Sequence, residues 1–340
     1  MPAIPLPFLA GLIIALTLHA NLKGVSAPGP RGFFTAFLLF YAMQGVIIGL
    51  RFGYGLEVLA PVQPVTAAAM PPLATLAFLM LADRPPARLW VHALPPLLVA
   101  LAVLLFQPAV DLLLFVIFAG YGVALWRIAC GGEAAAAEAE ISRMRPILRT
   151  ARLTSVLMLY FAVTDTALSI WTLFQGRADV PVAVGLMNIG AIVLALLSYL
   201  APVRAVPPEA VDDRPSKIVP DQVAHEEDRE HLARIEAALD QIFTDENLTL
   251  AKLARKAGLP ARTVSAVINR ATGFNLSQFV NNRRVAEVCR LIEADDRPLT
   301  ALMLEAGFST KSNFNREFRR VTGLSPSAFR AEVKKAVEAR

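Results

Sequence analysis

Long apolar stretches separated by short polar connections fill the first two hundred residues of the chain. The apolar stretches are residues 5–22, 33–54, 57–82, 89–107, 110–129, 152–174 and 180–202. Each is close to the ~20 residues that an α-helix needs to cross a bilayer. Because few charges lie between them, the pattern predicts seven transmembrane helices rather than a buried globular core. The third stretch contains prolines that predict a kinked or broken helix, namely Pro61, Pro64, Pro71 and Pro72.

Lys and Arg residues in the connections predict the orientation of these helices. Two of them, Arg51 and Arg177, fall on one side of the predicted membrane and nine fall on the other. The nine are Lys23, Arg31, Arg84, Arg88, Arg127, Arg143, Arg145, Arg149 and Arg152. Since cytoplasmic loops carry the excess of positive charge, we expect a multi-pass protein of the bacterial inner membrane. Its N-terminus is predicted to lie outside and its C-terminus in the cytoplasm.

Polar segments interrupt this apolar region and then end it. The Ala- and Glu-rich connection at residues 131–149 predicts a short cytoplasmic helix. Residues 203–228 are rich in Pro, Asp and Glu without apolar periodicity, which predicts a linker. From Arg229 a helical spacing of apolar residues returns, with Leu232, Ile235, Leu239 and Ile242. Packing on the following domain and pairing of two chains are both compatible with this helix, and packing is the simpler prediction.

Helical periodicity with a polar face is clearest at residues 307–330. A turn at Gly307 and an N-cap at Ser309 precede a helix with a buried stripe of Phe314, Phe318 and Val321. The opposite face carries side chains that donate hydrogen bonds to base edges and phosphates in a major groove. They are Lys311, Ser312, Asn315, Arg316 and Arg319. This helix is therefore predicted to contact DNA.

A weaker copy of this pattern precedes it. An apolar stripe of Leu250, Leu253, Ala254 and Ala257 predicts a positioning helix. Gly258 and Leu259 predict the turn, and Pro260 suits the first position of the next helix. In that helix the residues predicted to face inward are Val264, Val267 and Ile268. The residues predicted to face outward are Arg262, Thr263, Ser265, Ala266, Asn269 and Arg270. The two copies predict a double helix-turn-helix.

A long helix is predicted between the two copies. Asn275 and Gln278 match a capping box, and the helix that they open runs to about Ala294. Such a helix spans about 30 Å, which is close to the ~34 Å repeat of DNA and can place two recognition helices in successive major grooves. Arg283 and Arg284 on this helix either contact phosphates or form structural ion pairs. We expect a structural role for at least one of them.

The run GFST-x-SNF-x-REF-x-R-x-TG-x-SPSAFR that begins at Gly307 resembles the C-terminal signature of the AraC/XylS transcription regulators. The resemblance covers residues 245–330 and implies base contacts from both copies. The residues implied are Arg262, Ser265, Ala266, Lys311, Ser312, Asn315 and Arg316. Ala266 departs from the pattern, since its methyl group can contact only a thymine methyl, so the first helix is expected to discriminate less sequence than the second. Met303 and Cys289 stand where the family has smaller residues, and both are predicted to lie in the core.

Charge and side-chain chemistry narrow the function. Residues 229–340 hold nineteen Lys and Arg against thirteen Asp and Glu, whereas residues 1–228 hold fourteen against fifteen. The basic excess therefore belongs to the predicted DNA-binding part. The sequence shows no phosphate loop, metal-ligand cluster or nucleophile beside a base. Neither enzymatic activity nor a cofactor is predicted.

Polar residues inside the apolar stretches are candidates for a sensing role, because they are costly in a bilayer. Asp165 is the clearest of them, and Gln44 and Asn188 are further sensing candidates, as are Gln63 and His92. In the alternative interpretation, Asp165 is protonated or hydrogen-bonded between helices and only stabilises packing.

Together these patterns predict an all-α protein of three parts. A seven-helix transmembrane sensor domain (1–202) precedes a linker (203–228) and a double helix-turn-helix DNA-binding domain (229–340). The predicted function is membrane-integral, sequence-specific transcription regulation, with activation as the expected direction. Expected partners are promoter DNA, the lipid bilayer and a ligand of unknown identity, with RNA polymerase and a second copy of the chain as further candidates. The alternatives are a transporter or membrane enzyme with a fused DNA-binding domain, and a degenerate protein-binding module.

Overall fold

The chain is all-α, which confirms the predicted fold class. A computed structural model describes residues 6–22, 28–82, 88–141, 144–176, 179–200, 222–294 and 296–338. Within these ranges the regular structure is helical, apart from one isolated antiparallel bridge between Glu140 and Thr249. Contacts divide the chain into two units. The first consists of Met1–Ala136 with Arg145–Val203, and the second of Ala137–Met144 with Arg204–Arg340.

In its described residues the first unit contains one α-helix in each apolar stretch. These are α1 Leu6–Leu22, α2 Pro28–Ile48, α3 Val62–Leu81, α4 Leu94–Leu105, α5 Ala109–Ala129, α6 Met144–Gln175 and α7 Val180–Leu200. Among the described residues, five segments are long and apolar enough to cross a membrane, namely Arg31–Gly53, Val62–Leu81, Ala109–Ala129, Pro146–Phe174 and Val180–Ser198. Shorter apolar helices cover Pro7–Leu16 and Leu89–Leu105. By length and composition, five helices could therefore span a membrane, whereas the apolar pattern predicted seven.

Small residues lie between helices of the first unit, and bulky apolar residues lie on its surface. A Cβ added to Gly11 of α1 or Gly45 of α2 would lie 3.0 Å from the Cα of the other glycine. On the surface, Leu104, Leu173 and Phe174 are 80%, 81% and 81% exposed. Close backbone approach at small residues is typical of helices that pack within a bilayer.

The third apolar stretch is interrupted near Pro61, where the 3-10 helix Glu57–Leu59 ends and α3 begins at Val62, but α3 is continuous through Pro71 and Pro72. Pro61 precedes the helix, and Pro64 lies in its first turn, where backbone N–H groups have no intrahelical acceptor. Pro71 and Pro72 lie inside the helix and are buried. Proline has no N–H group, so these two residues each remove one intrahelical hydrogen bond. Packing of α3 against α2, α4 and α5 offsets that loss of stability.

Only part of the connection between α5 and α6 forms the short helix that was predicted. Gly132–Ala136 is a 3-10 helix of five residues, and Ala137–Met144 belong to the second unit. The Ile141 N–H donates to the Leu248 carbonyl at 3.0 Å, and the Ala251 N–H donates to the Ala137 carbonyl at 2.9 Å. Because tertiary hydrogen bonds use these backbone groups, they override the helical propensity of the alanines.

The second unit consists largely of seven further helices in the described residues. They are α8 Gln222–Asp240, α9 Leu250–Ala257, α10 Ala261–Thr272, α11 Leu276–Ala294, α12 Leu299–Glu305, α13 Lys311–Thr322 and α14 Pro326–Glu338. Because α8 begins at Gln222, the predicted linker extends too far at its C-terminal end; residues 203–221 lie outside the described residues. α8 buries Ile235 and Leu239 and contacts α9 and α10, which confirms that it packs on the helix-turn-helix.

An aromatic cluster forms the core around α13. The ring of Phe314 lies 5.3 Å from that of Phe308 and 5.5 Å from that of Phe318, centroid to centroid. Phe318 lies 5.6 Å from Phe329. These separations are typical of stabilising aromatic pairs. Two predicted core residues are confirmed in the same cluster, Met303 as a buried member and Cys289 as a half-buried neighbour.

Candidate nucleic-acid interface

α9, a tight turn and α10 form the first helix-turn-helix. Thr249 caps α9 by accepting a hydrogen bond from the Lys252 N–H at 3.1 Å. Gly258 ends α9 in the left-handed conformation with φ +66°, which confirms the predicted turn. Pro260 lies one position earlier than predicted, as the extended N-cap residue of α10. The predicted inward residues of α10 are fully buried: Val264, Val267 and Ile268.

α12, a turn at Gly307 and α13 form the second helix-turn-helix. Gly307 has φ +88°, and a Cβ there would lie 2.7 Å from the Thr244 carbonyl oxygen and 2.9 Å from that of Phe243. Only glycine combines this conformation with this close approach. The N-cap of α13 is Thr310 rather than the predicted Ser309, because the helix begins one residue later; the Thr310 hydroxyl accepts a backbone hydrogen bond of the first turn.

The buried face of α13 differs from the predicted stripe at one position. Phe314 and Phe318 are buried as predicted, but Val321 is 42% exposed and Glu317 is buried. Val321 lies in the last turn of the helix, beyond the aromatic cluster. The Glu317 carboxylate is paired with Arg316 at 3.0 Å and with Arg320 at 2.9 Å. Pairing makes the burial of this charge tolerable, and spacing alone could not predict it.

The outward face of α13 presents the predicted DNA-contacting side chains to solvent. All five are exposed: Lys311, Ser312, Asn315, Arg316 and Arg319. Lys311, Asn315 and Arg319 line one open groove with the first residues of α14. Arg316 also donates to the Asn313 side-chain oxygen at 2.6 Å, which holds its guanidinium along the helix. Cations and an amide side by side can contact both phosphates and base edges.

The outward residues of α10 form a weaker donor surface. Arg262 and Asn269 are exposed, whereas Thr263, Ser265 and Ala266 are half-buried. Arg270 is exposed but donates two hydrogen bonds to Asp228 of α8, at 2.9 Å from Nε and 2.7 Å from Nη2. Its bonding to this carboxylate raises the pKa of Arg270. In this structure, the Arg270 guanidinium that is predicted to contact DNA is therefore engaged in an intramolecular ion pair.

α11 connects the two helix-turn-helix motifs. Its predicted capping box is confirmed, with the Asn275 N–H 3.1 Å from Gln278 Oε1 and the Gln278 N–H 3.0 Å from Asn275 Oδ1. Arg284 is 3% exposed and donates to the carbonyls of Phe243 at 2.7 Å and Asp245 at 2.8 Å. Burial lowers the pKa of Arg284 to about 10. Arg284 thus has the structural role that was expected for at least one of the two connector arginines.

One group of polar residues comes together in the first unit. Gln44 is buried, where its Oε1 accepts from the Thr66 hydroxyl at 2.7 Å and its Nε2 donates to the Gln63 carbonyl at 3.3 Å. The Gln63 side chain in turn accepts from Arg51 at 2.6 Å. Arg51 belongs to a π-helical segment, Gly49–Gly53. The sequence placed Arg51 among the loop cations and did not reveal this network.

The other sensing candidates lie on different helices. Asn188 donates to the Val184 carbonyl of its own helix α7 at 2.8 Å. Asp165 is exposed on α6, and the neighbouring hydroxyls of Thr164 and Thr166 bond to carbonyls of that helix. His92 Nδ1 lies 2.9 Å from the Tyr121 hydroxyl. The predicted sensing residues therefore do not form a single site.

Comparison with known proteins supports the assignment of the C-terminal unit. A family model described as a helix-turn-helix domain matches residues 253–332. The transcriptional activator NphR of Rhodococcus sp is 31% identical over 103 residues, which is 30% of each chain. The activator RhaS of Pectobacterium carotovorum is 27% identical over 25% of this chain and 30% of its own length. The arabinose operon regulatory protein of Escherichia coli is 26% identical over 26% and 30%.

These similarities cover about 30% of the length of each of the three relatives. No solved structure matches the chain. The family model begins within α9 and ends within α14, so it contains both turns and both outward-facing helices described above. Residues 253–332 are therefore a helix-turn-helix domain, similar to the matched segments of these transcription regulators.

Proposed function

We propose that the protein is a membrane-integral transcription regulator whose C-terminal unit binds promoter DNA selectively. The outward face of α13 carries this proposal, because it places Lys311, Asn315 and Arg319 in one open groove. NphR and RhaS, which share similarity with this unit, are both described as transcriptional activators. Their activity supports activation as the direction of regulation, with RNA polymerase as a further partner.

Five long apolar helices support the membrane part of the proposal. We place the membrane domain at residues 1–202 without Ala137–Met144. The DNA-binding unit then begins at Gln222 rather than Arg229, because α8 packs on α9 and α10. The unit also includes Ala137–Met144. The cation distribution in the connections favours a cytoplasmic location for this unit, the side on which DNA is accessible.

Selective DNA binding is tested with the full-length protein in lipid nanodiscs, because a fragment starting at residue 229 would lack Ala137–Met144. A duplex recovered from a random-sequence pool is compared with its scrambled version over a range of salt. We expect affinity for the recovered duplex to fall with a log–log salt slope of about −5 or steeper. We also expect a preference of roughly 1,000-fold or more over the scrambled duplex. Equal affinity for the two duplexes would contradict the proposal.

Membrane orientation is tested through Cys130, which is exposed at the end of α5. In a Cys289→Ala background, a membrane-impermeant maleimide is expected to label Cys130 in inverted vesicles and not in intact spheroplasts. The matched control places a cysteine on the opposite side through Glu57→Cys in a Cys130→Ser, Cys289→Ala background. The Glu57 side chain is 74% exposed, so the labelling pattern should be reversed. Labelling of Cys130 from outside would contradict the proposed orientation.

We propose that the first unit senses a ligand or a membrane state through its polar residues. Asp165 is an exposed carboxylic acid on an apolar helix. A carboxylic acid at such a position costs free energy in a bilayer, and residues of this kind typically mark functional sites. Gln44 is hydrogen-bonded between α2 and α3, and Asn188 is bonded within α7. Chromatin occupancy of an Asp165→Asn variant separates sensing from packing, since unchanged occupancy under all growth conditions would leave Asp165 without a sensing role.

A further inference from the structure

Two chain segments that follow apolar helices reach the first helix-turn-helix. The first, which we term the docking segment, is residues 137–141 and comes shortly after α5. The second is the N-terminal half of α8, which follows α7 in the chain. Both belong to the second unit. Each brings a carboxylate to an arginine of the first helix-turn-helix.

The docking segment contacts the N-terminal end of α9 through its backbone. Its two ends exchange hydrogen bonds with residues around Thr249, from Ile141 to the Leu248 carbonyl at 3.0 Å and from Ala251 to the Ala137 carbonyl at 2.9 Å. Apolar residues on both sides of this contact are buried. The buried residues are Ala137, Ala139 and Ile141 of the segment, and Leu248, Leu250 and Ala251 of the helix-turn-helix. Buried apolar side chains and paired backbone groups define a specific contact.

Glu138 of the docking segment pairs with Arg255 of α9. Its Oε1 lies 3.2 Å from Arg255 Nη1, and the side chains are 19% and 64% exposed, respectively. Arg255 lies on the first helix of the motif, the helix that crosses the phosphate backbone when a helix-turn-helix binds DNA. The Glu138 carboxylate offsets the positive charge of Arg255, so the pair attracts a phosphate less strongly than an unpaired guanidinium does.

Asp228 of α8 pairs with Arg270 of α10 in a bidentate arrangement. The distances are 2.9 Å from Nε to Oδ2 and 2.7 Å from Nη2 to Oδ1. A guanidinium binds a phosphate through the same two-pronged geometry. The carboxylate therefore occupies the donor pair that Arg270 would present to DNA. In the second helix-turn-helix, by contrast, the ion pairs of Arg316 and Arg320 are made with Glu317 of the same helix.

We propose that Glu138 and Asp228 compete with DNA phosphate for Arg255 and Arg270, and so hold the first helix-turn-helix in a state of low DNA affinity. This inference rests on the proposed function. Displacement of the docking segment or of α8 frees the corresponding arginine, and both segments are covalently continuous with the apolar helices that precede them. The second helix-turn-helix supplies basal binding, and release of the first adds to it.

The test uses full-length protein in lipid nanodiscs with Glu138→Gln, Asp228→Asn and both substitutions together. These changes keep the size of the side chain and remove one charge. Glu226→Gln is the matched control, because Glu226 lies on the same α8 and pairs with Arg229 of that helix at 3.5 Å rather than with an arginine of α9, α10 or α11. Affinity and its salt dependence are measured for the recovered duplex and for an unrelated duplex.

We expect each single variant to bind the recovered duplex about 2- to 5-fold more tightly than the Glu226→Gln control, as fits the modest strength of exposed ion pairs. The log–log salt slope should steepen by about 0.9 for each freed arginine. Affinities and slopes equal to those of the control, or weaker binding, would overturn the inference. A wild-type protein without sequence preference would instead overturn the proposed function. In that case the slopes on the unrelated duplex still decide whether the arginines are freed.

Discussion

Substitution of Gly307 by alanine is expected to destabilise the C-terminal unit by about 2–5 kcal/mol. Its φ of +88° costs a residue with a Cβ roughly 1–2 kcal/mol. The added Cβ would also lie 2.7 Å from the Thr244 carbonyl oxygen and 2.9 Å from that of Phe243. Since both neighbours are backbone atoms, the turn must shift, which costs about 1–3 kcal/mol more. Hydrogen–deuterium exchange of the α13 amides in the full-length protein measures the loss.

The control for this prediction is Gly323→Ala. Gly323 also has a positive φ, +77°, but a Cβ there meets nothing within 4 Å. The Gly323→Ala substitution should therefore lower the free energy of unfolding only by the cost of the positive φ, about 1–2 kcal/mol. Equal losses of amide protection in the two variants would show that the close approach at Gly307 does not matter.

Substitution of Asn315 by alanine is expected to alter which DNA sequences the protein prefers. Asn315 is exposed on the outward face of α13, and an asparagine there can form two hydrogen bonds with an adenine edge, worth about 1–3 kcal/mol of discrimination. This corresponds to a loss of about 5- to 150-fold against the best duplex. Binding to duplexes changed at one base pair at a time measures the effect, which should be concentrated at one position.

Arg319→Ala is the matched comparison on the same helix face. Arg319 is exposed nearer the C-terminal end of α13, and we expect it to contact phosphate. Its loss should weaken binding evenly across sequences and reduce the salt slope by about 1. If Asn315→Ala weakened all duplexes equally, α13 would be placed on DNA in a different register from the one proposed.

Features that depend on three or four neighbouring residues were predicted well. The capping box of α11 and the turn at Gly258 are present as expected, because both are formed by local hydrogen bonds and local backbone conformation. Errors at this range were small. The N-cap of α13 is Thr310 instead of Ser309, since two adjacent hydroxyl residues offer the same chemistry and only the first helical residue distinguishes them.

The sequence did not reveal contacts between residues that lie far apart along the chain. The Ala- and Glu-rich connection after α5 was predicted to be helical, but only Gly132–Ala136 forms a 3-10 helix, and the backbone after it pairs with Leu248 and Ala251. Arg270, which is predicted to contact DNA, is paired with Asp228 in this structure. A charged residue on an outward face has the same periodicity whether it meets water, a phosphate or a carboxylate from another helix. Spacing therefore cannot separate these cases.

The sequence by itself determined the all-α class, the apolar helices, the double helix-turn-helix and the outward residues of α13. Helical period, caps and glycine turns are encoded within one or two turns, so they can be recognised without the rest of the molecule. The tertiary structure alone decided which cations are already paired. It brought Glu138 to Arg255 and Asp228 to Arg270, and it buried Arg284 under two backbone carbonyls. Such pairs form because packing brings together segments that are distant along the chain, and local periodicity does not show which segments will meet.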